Sequence, residues 1–338
     1  MRWLRNGQRG SILVLTLWTV VLLGVLVTAL ASETRLAARV VQAQQEDVAT
    51  WAALVSALHQ AEMELMLETM PLPPDAFETP EDMARTPRYR FNGEALQLHY
   101  PQAEDIVVRI EDHSGKINLR ALEAEQMRAL LQKRLGLRAT QRDDRVESLI
   151  AAWVDWQDLN DQAISIGAER DYYLGLDPPY EPRNGRIESV AELLLIRGFA
   201  EVFAGVDLEA AFTLYGEDAR INLNVATFEA LQLLPGLDDE TIAAILEWRQ
   251  ENEFRGNGDV VRLLDAPVMA QLRPWLDNRK QGNHFTILAH ARPTRAGAST
   301  YSAWAETVEV RGPMERPRVL RVDPYRPLSL RFRESPVE

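Results

Sequence analysis

Between Asp155 and Asp171 the chain crowds six oxygen-bearing side chains: Asp155, Asp158, Asn160, Asp161, Glu169 and Asp171. No histidine or cysteine lies among them. Hard oxygen donors at this density predict a Ca²⁺ site rather than a Zn²⁺ site. Counting from Asp158, oxygens fall at positions 1, 3 (Asn160), 5 (Gln162) and 12 (Glu169), which is part of the EF-hand spacing. Position 6 is Ala163 where that loop demands glycine, and Gln162 is not a usual ligand. The expectation is therefore an irregular calcium loop, against the plainer reading of a solvated acidic turn capping the next helix. Trp153, Trp156, Tyr172 and Tyr173 flank the cluster and are expected to form its apolar wall.

Other chemistry is poorly supported. Asp155 and Asp158 could pair as hydrolase carboxylates, but no substrate cleft is implied. The five histidines, His59, His99, His113, His284 and His290, are scattered, and none sits in a motif with a nucleophile. No enzyme is expected. Residues Ile221–Arg249 look like a helix-hairpin-helix unit. In such a unit the hairpin amides hold a phosphate and basic residues follow. Here Leu237 is followed by Asp238, Asp239 and Glu240, which would repel a phosphate. The unit reads as a packing module, and no nucleic acid is expected as a partner.

Composition agrees. The chain has 338 residues, no cysteine and a formal charge of −13. Nothing conflicts with an exported location. Residues 1–10 contain Arg2, Arg5 and Arg9 and no acid, so without them 34 basic residues face 50 acidic ones and the charge is −16. Such a body suits cations, or basic or apolar partner surfaces, better than phosphates.

The elements that must position the acidic loop can be read in order. Ser11–Ala31 carries no charge and is long enough to span a ~30 Å hydrocarbon core as a helix. The arginines before it place the N-terminus in the cytoplasm and the rest outside the inner membrane, in the periplasm of a Gram-negative cell. Beyond it Leu36, Val40, Val48, Trp51, Leu54, Val55, Leu58 and Leu65 recur at helical steps, so the helix should continue to about Glu68 and lay one face on a body. Pro71–Leu72–Pro73–Pro74 ends it. Residues 88–100 read as a hairpin turning at Asn92–Gly93. Ile106–Ile110 is a strand, and residues 112–115 are a turn.

Helices follow. Ile117–Asn118–Leu119 opens one continuing through Glu125–Leu135, and Arg145–Trp156 and Glu188–Ile196 are others, the last capped by Ser189. A second Ile-Asn-Leu at residues 221–223 leads into a helix at Ala226–Leu234, which hints at two related units. Strands return at residues 284–293, 301–312 and 318–327. The fold class expected is α+β: a long N-terminal transmembrane and amphipathic helix on an antiparallel sheet, with a large all-helical insertion. The boundaries are a leader at 1–10, the membrane part at 11–31, the body at 32–115, the insertion at 116–280, and C-terminal strands and tail at 281–338.

The basic leader ends in Gly10, before the apolar run rather than after it. That order resembles a prepilin leader, which prepilin peptidase cuts between Gly10 and Ser11. With the helix and the run Gly167–Phe199, notably Tyr172–Tyr173, Pro178–Pro179–Tyr180 and Ser189–Glu192, the chain resembles the protein K family of type II secretion, the large minor pseudopilins. Most pilins carry glutamate at the fifth mature residue; here that position is Leu15. The resemblance implies a subunit at the pseudopilus tip that followers cannot cap, joined to I-type and J-type minor pseudopilins through the N-terminal helices. It also implies calcium in the insertion. The alternatives are a minor pilin of a type IV pilus, or an anchored periplasmic binding or enzymatic domain outside any filament.

Overall fold

The computed structural model describes residues 9–69, 89–98, 105–138, 143–278, 282–292, 302–312 and 315–328. Residues 1–8 of the leader, the proline run at 71–74, the outer residues of the expected 88–100 hairpin and everything past Leu328 lie outside them.

Helix α1 spans Arg9–Thr69. The chain divides into two units, one ending at Val55 and one starting at Ser56. In the first unit α1 is long and apolar enough to cross a membrane. Its hydroxyls are returned to the helix backbone: Thr16 donates to the Leu13 carbonyl at 2.9 Å and Thr28 to that of Gly24 at 2.8 Å. Leu36, Val40, Val48 and Trp51 are exposed. The buried stripe therefore does not begin at Trp51 as the periodicity predicts. It begins in the second unit with Ala57, Leu58, Ala61 and Leu65. Within the first unit, residues 12–52 are exposed.

In the second unit, strand β1 is Asn92–Leu96 and β2 is Ile106–Asp112. Asn92–Gly93 does not turn a hairpin. It forms a bulge inside β1, where Gly93 has φ +85° and the Asn92 side chain accepts from the Glu94 amide at 3.1 Å. The favourable αL chemistry of Asn-Gly is used to kink a strand instead of reversing one. Next come β3 (Ile117–Asn118), α2 (Ala124–Arg134), α3 (Asp144–Asp155) and α4 (Arg170–Leu174). Residues Val190–Leu195 form a 3₁₀ helix with Ser189 and Glu192 as a capping box. After α5 (Phe199–Val202) and α6 (Leu208–Ala211), β4 (Phe212–Thr213) pairs in parallel with β3. Helices α7 (Phe228–Leu233), α8 (Asp239–Glu251), α9 (Asn257–Leu263) and α10 (Ala266–Leu272) complete the block. Strands β5 (His284–Ala291), β6 (Ser302–Glu309) and β7 (Arg318–Pro327) then join β1 and β2 in one antiparallel sheet, ordered β1-β2-β5-β6-β7.

The two Ile-Asn-Leu segments share a geometry. Ile117 bridges Phe212 in parallel, and Ile221 bridges Leu276 in parallel. Each asparagine side chain then accepts from the amide two residues on, Asn118 from Arg120 at 3.0 Å and Asn222 from Asn224 at 2.9 Å. Each is thus a parallel pairing, a short strand at Ile117–Asn118 and an isolated bridge at Ile221, closed by an Asx turn before a helix, and not a helix start. They meet at Gly115, where a Cβ would lie 2.2 Å from the Val225 carbonyl oxygen, so only glycine fits. The helix-hairpin-helix pattern is also present: α7 and α8 flank Gly236 at φ +81°. Asp238 caps α8, accepting from the Thr241 amide at 2.9 Å, and occupies the helix end that a phosphate would need. The buried Arg249 donates inward to the Leu223 and Ala226 carbonyls at 3.1 and 2.6 Å.

Buried ions join block and sheet. Glu111 on β2 accepts from Lys116 Nζ at 2.5 Å and Arg326 Nη2 at 3.4 Å, all three nearly solvent-free. Burial pushes the Glu111 carboxyl up, but the two cations outweigh it and hold it below the usual carboxylate value. Lys116 also donates to the Glu209 carbonyl at 2.8 Å, so β2 and α6 share one cation. His113 donates to or accepts from Thr213 at 2.6 Å and Thr286 at 2.8 Å, and burial drives its pKa well below the ordinary histidine value.

Candidate cation site

Helix α3 positions the first carboxylate of the cluster. Asp143 caps it, accepting from the Arg145 and Val146 amides at 2.9 and 3.3 Å. Val146, Leu149, Ile150 and Trp153 form its buried face. That packing fixes the last turn, so Asp155 is held with no exposed surface. Its Oδ1 accepts from the Ile164 amide at 3.2 Å, while Oδ2 is buried without a hydrogen-bond partner.

The loop then folds back. Its local fastenings are Asx turns: Asp158 Oδ1 accepts from the Asn160 amide at 3.0 Å, and Asn160 Oδ1 from the Gln162 amide at 2.8 Å. At Gly167 the returning backbone passes so close to Asp155 that a Cβ would lie 1.8 Å from Oδ2. Glu169 follows, at the cap position of α4, but its side chain does not cap the helix. It is 5% exposed, and both carboxylate oxygens are buried without a hydrogen-bond partner. One oxygen each from Asp155, Asp158 and Glu169 falls in a cluster no wider than 4.8 Å.

Three buried or half-buried carboxylates at this separation oppose one another. Burial first, then Asp155, Asp158 and Asp161, push the Glu169 pKa up to about 7. Burial also raises that of Asp155, against the Ile164 and Ala168 amides. Orphaned oxygens of this hardness have the chemistry of ligands for a hard divalent cation.

Of the six sequence-predicted ligands the structure gathers three. Asn160 and Asp161 are exposed on the loop, and Asp161 Oδ1 accepts from Asn184 Nδ2 at 2.8 Å. Asp171 is exposed in the first turn of α4. Sequence reasoning misses the groups that hold the loop. Arg197 Nη1 donates to the Gly167 carbonyl at 2.7 Å, and its Nη2 donates to Ser148 Oγ at 2.6 Å and to the Ile166 carbonyl. The guanidinium also lies 5.3 Å from the centre of the Tyr172 ring. Nothing local marks an arginine 30 residues downstream. The aromatic wall is as expected for Trp153, Trp156 and Tyr173, which are buried, with Trp156 edge-on to Tyr173 at 5.2 Å; Tyr172 is 40% exposed.

Comparison with known proteins places this segment. Residues 95–204 match the family model described as "Type II secretion system (T2SS), protein K". Type II secretion system protein K of Klebsiella pneumoniae is 28% identical over 139 residues, covering 39% of this chain and 43% of that protein. The protein of the same name from Pectobacterium carotovorum subsp. carotovorum is 32% identical over 102 residues, 30% of each chain. The matched part is thus less than half the length of these relatives. A chain in the crystal structure of the GspK-GspI-GspJ complex from enterotoxigenic Escherichia coli has the same fold. Its TM-score is 0.50 at 20% identity, over 83% of this chain and 98% of that one. In sequence through the acidic loop the chain is similar to type II secretion system protein K, and in fold over most of its length to a chain of the GspK-GspI-GspJ complex.

Proposed function

We propose that this chain is a minor pseudopilin of a type II secretion machine, held in the inner membrane by residues 11–31 with its body in the periplasm, at the tip of the pseudopilus. The reading is carried by the match of residues 95–204 to protein K. The fold shared with a chain of the GspK-GspI-GspJ complex supports I-type and J-type minor pseudopilins as partners. The exposed stripe Leu36, Val40, Val48 and Trp51 supplies an apolar surface for helices of that kind. Its role is structural: it initiates and caps a filament, with prepilin peptidase as the processing enzyme. Co-expression with I-type and J-type subunits tests this. The three should purify together, with the present chain starting at Ser11, and Gly10→Val should leave the leader attached and keep the chain out of the assembly. A wild-type assembly containing intact residues 1–10 refutes the processing step, and failure to copurify refutes the partnership.

The site belongs to the same proposal. Asp155, Asp158 and Glu169 would hold Ca²⁺, whose charge would offset the repulsion among them. Arg197, Ser148 and Asn184 position the loop for this by fastening its backbone and Asp161. Bound there, the ion would tie the end of α3 to the start of α4 and stiffen the protein K-like segment.

A further inference from the structure

The helical block meets the sheet at a buried imidazole. His113 opens the 3₁₀ turn that follows β2 and is 7% exposed. Its Nδ1 lies 2.6 Å from the Thr213 hydroxyl on β4, in the block. Its Nε2 lies 2.8 Å from the Thr286 hydroxyl on β5, in the sheet. The Thr213 hydroxyl also accepts from the Tyr215 amide at 3.0 Å, and that of Thr286 is 3.2 Å from Thr307 Oγ1. A neutral ring satisfies both threonines, donating to one hydroxyl and accepting from the other. A protonated ring has two donors and no acceptor, so the hydroxyl that donated to it loses its partner.

The surrounding charges act in the same direction. Burial first, then Lys116, His284 and Arg326, disfavour a proton on His113. The carboxylates of the joint are committed to other groups: Glu111 to Lys116 and Arg326, Asp112 to the Ser114 amide, Asp207 to the Ala210 amide, and Glu209 to Arg321. Tyr215 is edge-on to His113 at 5.3 Å and stacks on His284 at 4.7 Å. His284 is only half-buried; burial lowers its pKa too, but Glu309 acts in the opposite direction. It therefore tolerates a proton better than His113 does.

We propose that His113 is a proton-operated joint, neutral while the block is docked on the sheet and releasing the β3–β4 pair of the block when it takes up a proton. Docked, the ring stays neutral well below the ordinary histidine value of 6.5; opened, it protonates at about that value. The joint is thus at full strength above pH about 7.5 and weakens as pH falls below about 6.5. With one proton taken up on opening, the opening equilibrium rises about tenfold between pH about 7.5 and about 5.5.

Hydrogen exchange of the full-length chain in detergent, corrected for the intrinsic pH dependence of amide exchange, reads this opening. The Leu119 amide donates to the Thr213 carbonyl at 2.9 Å across the pair. Amides of Ile117–Leu119 and Phe212–Thr213 should open about tenfold more at the lower pH, measured against those of α8. His113→Gln, which hydrogen-bonds without titrating, should reduce that change to less than about twofold. His284→Gln and, separately, His290→Gln should leave it intact. A wild-type ratio between β3–β4 and α8 that does not change with pH overturns the proposal. So does a response kept in His113→Gln, or one lost in His284→Gln or His290→Gln. If His113→Gln fails to fold, the wild type and the other two variants decide.

Discussion

The Glu169 carboxylate offers the sharpest test of the cation site. Its ordinary pKa is 4.5 and the fold carries it up to about 7. Held ionised at pH about 8 without a cation, it therefore costs the folded state roughly 3 kcal/mol. The sign follows from the folded value lying above the unfolded one. The cost is full above pH about 7, fades as pH falls, and is gone below about 4.5, where the group is protonated in both states. Without calcium the body should thus gain stability between pH about 8 and about 5, from this group. With calcium at a hundred times its dissociation constant, binding adds about 2.7 kcal/mol at pH about 8. For a body of this size that is a rise in Tm of roughly 5 °C. Glu169→Gln removes the charge and the ligand together. It should abolish the calcium shift while leaving the Tm in chelator unchanged or higher, because the repulsion is relieved. Thermal melts of the full-length chain in detergent, in calcium and in chelator at both pH values, decide the matter. Equal melts for the wild type in calcium and chelator refute the site. A Tm in chelator lowered by more than about 5 °C in Glu169→Gln would show Glu169 to be a structural group, and would refute the repulsion argument.

Three further outcomes follow from the packing. Gly167→Ala places a Cβ 1.8 Å from Asp155 Oδ2, so it should cost roughly 2 kcal/mol or more and weaken the calcium response; a calcium titration followed by Tm checks both. Leu58 is 2% exposed on the buried part of α1, so Leu58→Asp should destabilise the body by roughly 3–5 kcal/mol in urea unfolding, whereas Trp51→Asp on the exposed stripe should change it little. Glu111→Gln leaves Lys116 and Arg326 as buried cations without their counter-ion and should cost about 3–5 kcal/mol by the same assay.

Much of the architecture was legible because it rests on local chemistry. The uncharged run from Ser11 to Ala31 leaves only a helix possible in lipid. The apolar face of α3, the Ser189 cap and the strand at β6 were readable for the same reason: each is written within one element. The errors came where one local pattern serves two geometries. Asn92–Gly93 satisfies a hairpin turn and a strand bulge equally, and the pairing of Asn92 with Glu111 chose the bulge. Ile-Asn-Leu reads as a helix start by position, yet the parallel partners Phe212 and Leu276, far along the chain, make the first copy a strand and the second a β-bridge. Helical periodicity through Trp51 promised a buried face, but periodicity describes a stripe and not what covers it.

The candidate site divides along the same line. Residue type and crowding between Asp155 and Asp171 determined that hard oxygen donors would gather. Which of the six converge depends on the path of the loop. Gly167 lets the backbone return against Asp155, Arg197 and Ser148 hold that return, and Asn184 draws Asp161 aside. Those contacts join residues 12 to 49 positions apart. The sequence determined the long apolar helix, the order of elements and the chemistry of the acidic loop, since each depends on neighbours along the chain. Only the tertiary structure decided which carboxylates lose their solvent, because desolvation is imposed by whatever the rest of the fold packs against them.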